Sequence, residues 1–122
     1  MTIDEWLAAR SPAPPPQLLH RIRAALGEFT ADDASLVSER CIDAAERIVA
    51  ELLHDGRTGR DSAADLLVAD ALVTYAFEAA SDDPTQLAER AHEAMVRFAR
   101  LGAGEVRVAS ERGPTSQAVR QA

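Results

Sequence analysis

Two Glu-x-x-His motifs have the spacing that could bind a metal in this sequence: Glu51 with His54, and Glu89 with His92. Carboxylate-bridged di-iron bundles use two such motifs together with one glutamate from each of two further helices, all projecting inward. A helix turns by about 100° per residue, which places both pairs here away from the apolar stripes of their helices. The sequence therefore predicts that both pairs face solvent, and that the protein holds no metal and no other cofactor.

The segment HDGRTGRDSA has the residue types of a phosphate site at the start of a helix. Gly56 and Gly59 would leave backbone N–H groups accessible. Arg57 and Arg60 would supply positive charge. Asp61, however, stands where the phosphate would sit, and the Gly-Lys-Ser/Thr ending of a P-loop is missing. We interpret the segment as a joint between two helices, and keep Arg57 and Arg60 as candidate contacts for an acidic partner.

The remaining nucleophile and base candidates do not form a catalytic pattern. Cys41 falls in the apolar row of a predicted helix, which is typical of a buried structural thiol. His20 lies on the polar side of its helix, and the lysine and glycine that usually follow a phosphorelay histidine are absent. No GxSxG motif occurs. We therefore predict no catalytic residues, and consider an enzyme less well supported than a binding protein.

Composition and charge restrict the possible partners. The chain has 122 residues, a net charge of -7 and no lysine, so every cationic side chain that is not histidine is arginine. Proteins that bind nucleic acid or anionic membranes usually present a basic face, so neither partner is expected. One cysteine allows no internal disulfide. With no secretory signal in the first residues, we expect a cytoplasmic protein, and the arginine bias suggests a bacterium with a GC-rich genome.

Alanine, leucine, arginine and glutamate dominate the helical pattern, and residues that favour strands are sparse, so the sequence predicts an all-α bundle. It has four main helices, a short N-terminal helix and a flexible C-terminal tail. The predicted helices cover residues 3–10, 16–27, 34–54, 62–80 and 85–101. Caps are expected from Thr2, Gly27, Gly56, and either Asp61 or Ser62. A single domain would span residues 1–101, with 1–14 as an arm joined by the proline-rich SPAPPP connector and 102–122 as the tail, in which EVRVAS could form a short strand.

The helix predicted for residues 62–80 is apolar almost all round, which is typical of a central, buried helix. Asp70, Thr74 and Glu78 are spaced four apart and form one polar row along it. Three alternatives remain open: the row is a strip in water, it pairs with arginines such as Arg21, Arg97 or Arg100, or it lines a polar cleft. The third alternative makes Asp70, Thr74 and Glu78 the candidate ligand-binding residues.

Trp6 is the only tryptophan and lies on the short helix before the prolines, which cannot be stable alone. We expect it to pack either across its own bundle or onto a second subunit, which makes it a candidate partner contact together with Arg57 and Arg60. The function these patterns favour is a small, non-catalytic protein-interaction or regulatory protein, homodimeric or with another protein partner. The alternative is a small-molecule-binding protein or enzyme with a cleft along the fourth helix.

Overall fold

The computed structural model describes residues 1–56, 58–82 and 84–112, and this part of the chain is helical with no strand. The predicted all-α bundle is therefore confirmed. The α-helices are Ile3–Ala8 (α1), Pro16–Leu26 (α2), Val37–Asp55 (α3), Arg60–Ala80 (α4) and Pro84–Arg112 (α5). Two short 3-10 turns, Gly27–Ala31 and Ala34–Leu36, connect α2 to α3.

Three of the predicted helix ends are confirmed. Thr2 forms a capping box at the start of α1, because its hydroxyl accepts from the Glu5 N–H and the Glu5 carboxylate accepts from the Thr2 N–H. Gly27 ends α2 with φ 58°, and Gly56 ends α3 with φ 60°. Both glycines adopt positive φ, which other residues rarely tolerate.

Two predicted boundaries are wrong. Helix α4 begins at Arg60 with Gly59 as its cap, so neither Asp61 nor Ser62 caps it. The Gly59 φ of 105° turns the chain directly into the helix and places Asp61 in the first turn. Helix α5 continues to Arg112 instead of ending at residue 101, because no proline interrupts it there. Residues 102–112 of the predicted tail, including the suggested strand, are therefore helical, and residues 113–122 lie outside the described residues.

The core lies where α3 packs against α2, α4 and α5. Its largest fully buried side chains come from four helices. They are Ile3, Leu7, Ile22, Leu26, Val37, Cys41 and Leu72. The predicted burial of α4 on all sides is wrong, because Leu66 and Leu67 are 54% and 56% exposed. One face of α4 is buried, and the opposite face is uncovered.

The N-terminal arm is part of this core. The Ile3 N–H donates to the Asp32 carbonyl at 2.9 Å, and the Ala34 N–H donates to the Met1 carbonyl at 2.8 Å. Ile3 and Leu7 are 0% and 1% exposed. These contacts attach α1 to the 3-10 turns before α3, so the first residues complete the bundle from one side.

Candidate functional site

The polar row on α4 lies on its uncovered face. Asp70, Thr74 and Glu78 are all exposed. The Thr74 hydroxyl donates to the Asp70 carbonyl at 2.9 Å, a bond within the same helix that leaves the Asp70 carboxylate free to point outward. The row therefore does not line an enclosed polar cleft along its length.

Glu78 has an arginine partner, but none of those suggested by the sequence. The Arg10 guanidinium lies 2.8 Å from the Glu78 carboxylate. Arg21, Arg97 and Arg100 do not form this pair; Arg97 is held instead by Asp43, at 2.8 Å, and by Glu46. The hydrogen bond that Arg97 donates to the Glu46 carboxylate raises the pKa of Arg97 above its usual value, so this guanidinium stays charged. The partner of Glu78 therefore comes from the residues that follow α1, and not from the arginines of α5.

Arg10 and Glu78 belong to a cluster that fastens α1 to α4. The Arg10 guanidinium lies 3.6 Å from the centre of the Trp6 ring, and its Nε donates to the Trp6 carbonyl at 2.9 Å. Trp6 meets Tyr75 edge to face, with ring centroids 6.0 Å apart. Burial, followed by the nearby Glu78 charge, raises the pKa of Tyr75. A stacked cation and an edge-to-face aromatic pair both favour this docked arrangement.

Of the two alternatives predicted for Trp6, packing within its own bundle and packing onto a second subunit, the structure shows the first. Only 7% of the residue is exposed, and it packs across its own bundle. The indole has little surface left for a second subunit, so we do not place it in the proposed interface. Arg60, the first residue of α4, is exposed, whereas Arg57 lies outside the described residues. Of the predicted partner contacts that the structure describes, Arg60 lies on the uncovered face of α4 and Trp6 does not.

The apolar part of this face was not singled out by the sequence analysis. Leu66 and Leu67 are about half exposed, and Leu66 borders an open groove of about 320 Å³. The groove is lined by Val49, Leu66, Ala69, Asp70, Val73 and Phe98. Among the described residues of that lining, Asp70 is the only charged one. The sequence did contain the signal: a helix that is apolar all round has more apolar surface than one buried face requires.

The two Glu-x-x-His pairs are exposed, as predicted from their angular positions. Glu89 and His92 border an open cavity of about 630 Å³ that Arg97 and Arg100 also line. No group of three or more potential metal-binding side chains occurs within the described residues. That the protein holds no metal or cofactor stays a prediction.

Cys41 is completely buried, and burial raises the pKa of its thiol to about 12. A thiol with so high a pKa carries almost no thiolate near neutral pH, and thiolate is the nucleophilic form. The structural role expected for Cys41 agrees with this environment.

The chain matches no protein-family model, and neither a curated protein nor a solved structure is significantly similar to it. Function must therefore be argued from the described surfaces. Among the described helices, none has the length and apolar character needed to cross a bilayer.

Proposed function

We propose that the protein is a non-catalytic, homodimeric interaction protein of the bacterial cytoplasm, and that the uncovered face of α4 forms the dimer interface. The observation that carries the proposal is the exposure of two adjacent leucines, Leu66 at 54% and Leu67 at 56%. Isolated exposed leucines are common on protein surfaces. Here Leu66 borders an apolar groove and Leu67 is exposed next to it, on a helix whose opposite face already supplies the core. Neighbouring apolar surface of this kind is typical of an interface.

An antiparallel pair of α4 helices fits the residues of this face. Leu67 would lie on the two-fold axis, because the same surface must meet itself in an isologous dimer. The neighbours on either side along this face, Ala63 and Ala71, are small and would let the two helices approach closely. The leucines would then fill space at the centre of the contact, where apolar anchors contribute most of the binding energy.

Charge complementarity supports the antiparallel direction. Arg60 lies seven residues before Leu67, and Asp70 lies three residues after it. Reversing one helix about Leu67 brings Arg60 to within about one helical turn of Asp70 of the partner subunit. The same pair forms twice, once at each end of the contact. A parallel pair would instead set Asp70 beside Asp70.

Dimerisation can be measured by sedimentation velocity of the full chain at increasing concentration. We expect a monomer–dimer equilibrium for the parent, and a dissociation constant raised roughly thirty-fold or more by Leu67→Glu, since a central anchor contributes about 2 kcal/mol or more. Met95→Glu is the matched control, because Met95 is 70% exposed but lies on α5. A chain that stays monomeric up to submillimolar concentration would contradict the proposal.

A charge exchange tests the direction of the pair. Arg60→Glu should weaken the dimer, and the double variant Arg60→Glu with Asp70→Arg should restore it, because each charge then meets its opposite again. If the double variant is weaker than either single variant, these two residues do not face each other. A dimer that survives Leu67→Glu unchanged would place the interface on another surface.

A further inference from the structure

Another concave surface lies beside Trp6 and the end of α4. Its volume is about 580 Å³, and it is bordered by α1, the Ala34–Leu36 turn, the first turn of α3, the end of α4 and the second turn of α5. This size is within the range of small-molecule sites. The polar groups that converge on it are Ser35, Ser38, Asp82 and Arg90.

Ser38 is a mostly buried residue whose hydroxyl is not bonded to any described residue and remains open to the cavity. The residue is only 8% exposed, and no hydrogen bond joins its hydroxyl to the described part of the chain. It lines both this cavity and a narrower one between α3 and α5. A serine hydroxyl can donate one hydrogen bond and accept two, so an unbonded one on a cavity wall is available to a ligand.

Arg90 differs from the other arginines of the core region. Arg10, Arg23, Arg40 and Arg97 each form an ion pair with a carboxylate. Arg90 is half-buried and forms no such pair with any described residue. A guanidinium presents two parallel N–H donors to a carboxylate, which gives both affinity and orientation.

The remaining wall defines the rest of the ligand. Ala79, Ala80 and Trp6 offer an apolar surface for a hydrocarbon body. Asp82 at the rim would repel a dianionic phosphate, which a single guanidinium could not offset. The same carboxylate would accept hydrogen bonds from an ammonium group. One cation, one anion and an apolar wall together match a zwitterion.

We propose that this cavity binds a small amino carboxylate, with Arg90 and Ser38 on its carboxylate and Asp82 on its amino group. This site is separate from the α4 face, and it does not depend on dimerisation. Free amino acids are the simplest members of the class. The body would lie against the two alanines, so an aliphatic side chain suits the wall better than a charged one.

The test compares two probes that differ only in the amino group: L-leucine and 4-methylpentanoate. Calorimetric titration of the full chain should show saturable L-leucine binding in the millimolar range, and Trp6 fluorescence should change with the same dependence, because the sole tryptophan lines the cavity. Binding of 4-methylpentanoate should be at least about tenfold weaker, the effect of losing one charge-assisted bond. Equal binding of the two probes, tighter binding of inorganic phosphate, or no binding of L-leucine would each overturn the proposal.

Two variants and one control test which part of the ligand Arg90 and Asp82 contact. Arg90→Gln should weaken L-leucine binding by about tenfold or more, and Asp82→Asn should remove most of the preference over 4-methylpentanoate. Arg100→Gln is the matched control, since Arg100 is an exposed arginine of the same helix that borders a different cavity. If Arg100→Gln weakens binding as much as Arg90→Gln does, the effect comes from the net charge of the protein and the site is wrong.

Ser38→Ala separates a ligand contact from a purely structural serine. Removing a hydroxyl that is open to the cavity should leave Tm almost unchanged, while the affinity for L-leucine falls several-fold. An unchanged affinity in a folded variant would show that the Ser38 hydroxyl does not contact the ligand. It would then exclude Ser38 from the site and overturn the assignment made here.

Discussion

Helix α1 and the outer face of α4 both present large apolar side chains beside charged ones, but only α1 is covered by its own chain. Ile3, Trp6 and Leu7 are buried, and Asp4 lies 2.6 Å from Arg23. On α4, Leu66 and Leu67 remain more than half exposed. The difference shows which amphipathic surface of this molecule is already satisfied and which is available.

Length explains why the two helices differ. A helix of 6 residues cannot form alone in water, so α1 exists only because its apolar side is packed. Helix α4 has 21 residues and is held along its inner face by α3. It can therefore leave its outer face uncovered without unfolding. Substitutions that remove contacts of α1 should therefore lower the free energy of unfolding. Substitutions on the outer face of α4 should instead weaken dimerisation.

The largest expected effect on stability is at Trp6. Trp6→Ala removes the ring that Arg10 and Tyr75 contact and leaves a cavity, which should lower the free energy of unfolding by about 3–5 kcal/mol. Chemical denaturation measures the change. Met95→Ala, at an exposed apolar site, should change stability by less than about 0.5 kcal/mol. If the two variants cost the same, α1 is not part of the cooperative core.

A smaller effect on the free energy of unfolding is expected at alkaline pH, from the buried Cys41. Burial raises the pKa of the Cys41 thiol from 9.0 to about 12, so the unfolded chain loses this proton at lower pH than the folded chain does. The contribution to stability is complete below pH 9 and is lost as the pH rises towards 12. Between about pH 8 and pH 10 the free energy of unfolding should fall by roughly 1 kcal/mol more in the parent than in Cys41→Ala.

The pH-dependent difference can be checked by denaturation at each pH, with thiol reactivity as a second measurement. A thiol reagent should modify the native parent only as fast as the chain unfolds. Rapid modification of the native protein near neutral pH would mean that the core around Cys41 opens without global unfolding.

The smallest expected effects lie on the polar row of α4. Glu78→Gln should cost up to about 1 kcal/mol, because it weakens an ion pair with Arg10 that is partly exposed. Asp70→Asn should leave the stability of the monomer unchanged, but weaken the proposed dimer by removing the partner of Arg60. Thermal unfolding at low concentration and sedimentation at high concentration separate the two results. A stability loss at Asp70 as large as that at Glu78 would mean that Asp70 also contributes to the monomer, which the contrast with the Arg10-paired Glu78 excludes.

Local features of the fold could be predicted from the sequence. The capping box at Thr2, the positive φ of Gly27 and Gly56, and the outward direction of His54 all depend on residues within a few positions of one another. The end of α5 is also a local feature, but the prediction placed it at residue 101, where the apolar pattern breaks. A helix can continue past such a break, and through glycine at a cost of about 1 kcal/mol each.

The sequence by itself determined that the chain forms helices, where most of them begin and end, and that α4 carries more apolar surface than one buried face needs. Only the tertiary structure decided which face of α4 is covered, and which arginine meets Glu78. The Arg10–Glu78 pair joins residues 68 positions apart. Helix propensity and capping act over one turn, whereas such a contact depends on how whole helices pack, and the sequence offers many arginines of equal chemistry. For the same reason the sequence did not indicate that Ser38 and Arg90 lie close together. They line one cavity only because α1, the Ala34–Leu36 turn, α3, α4 and α5 pack around it.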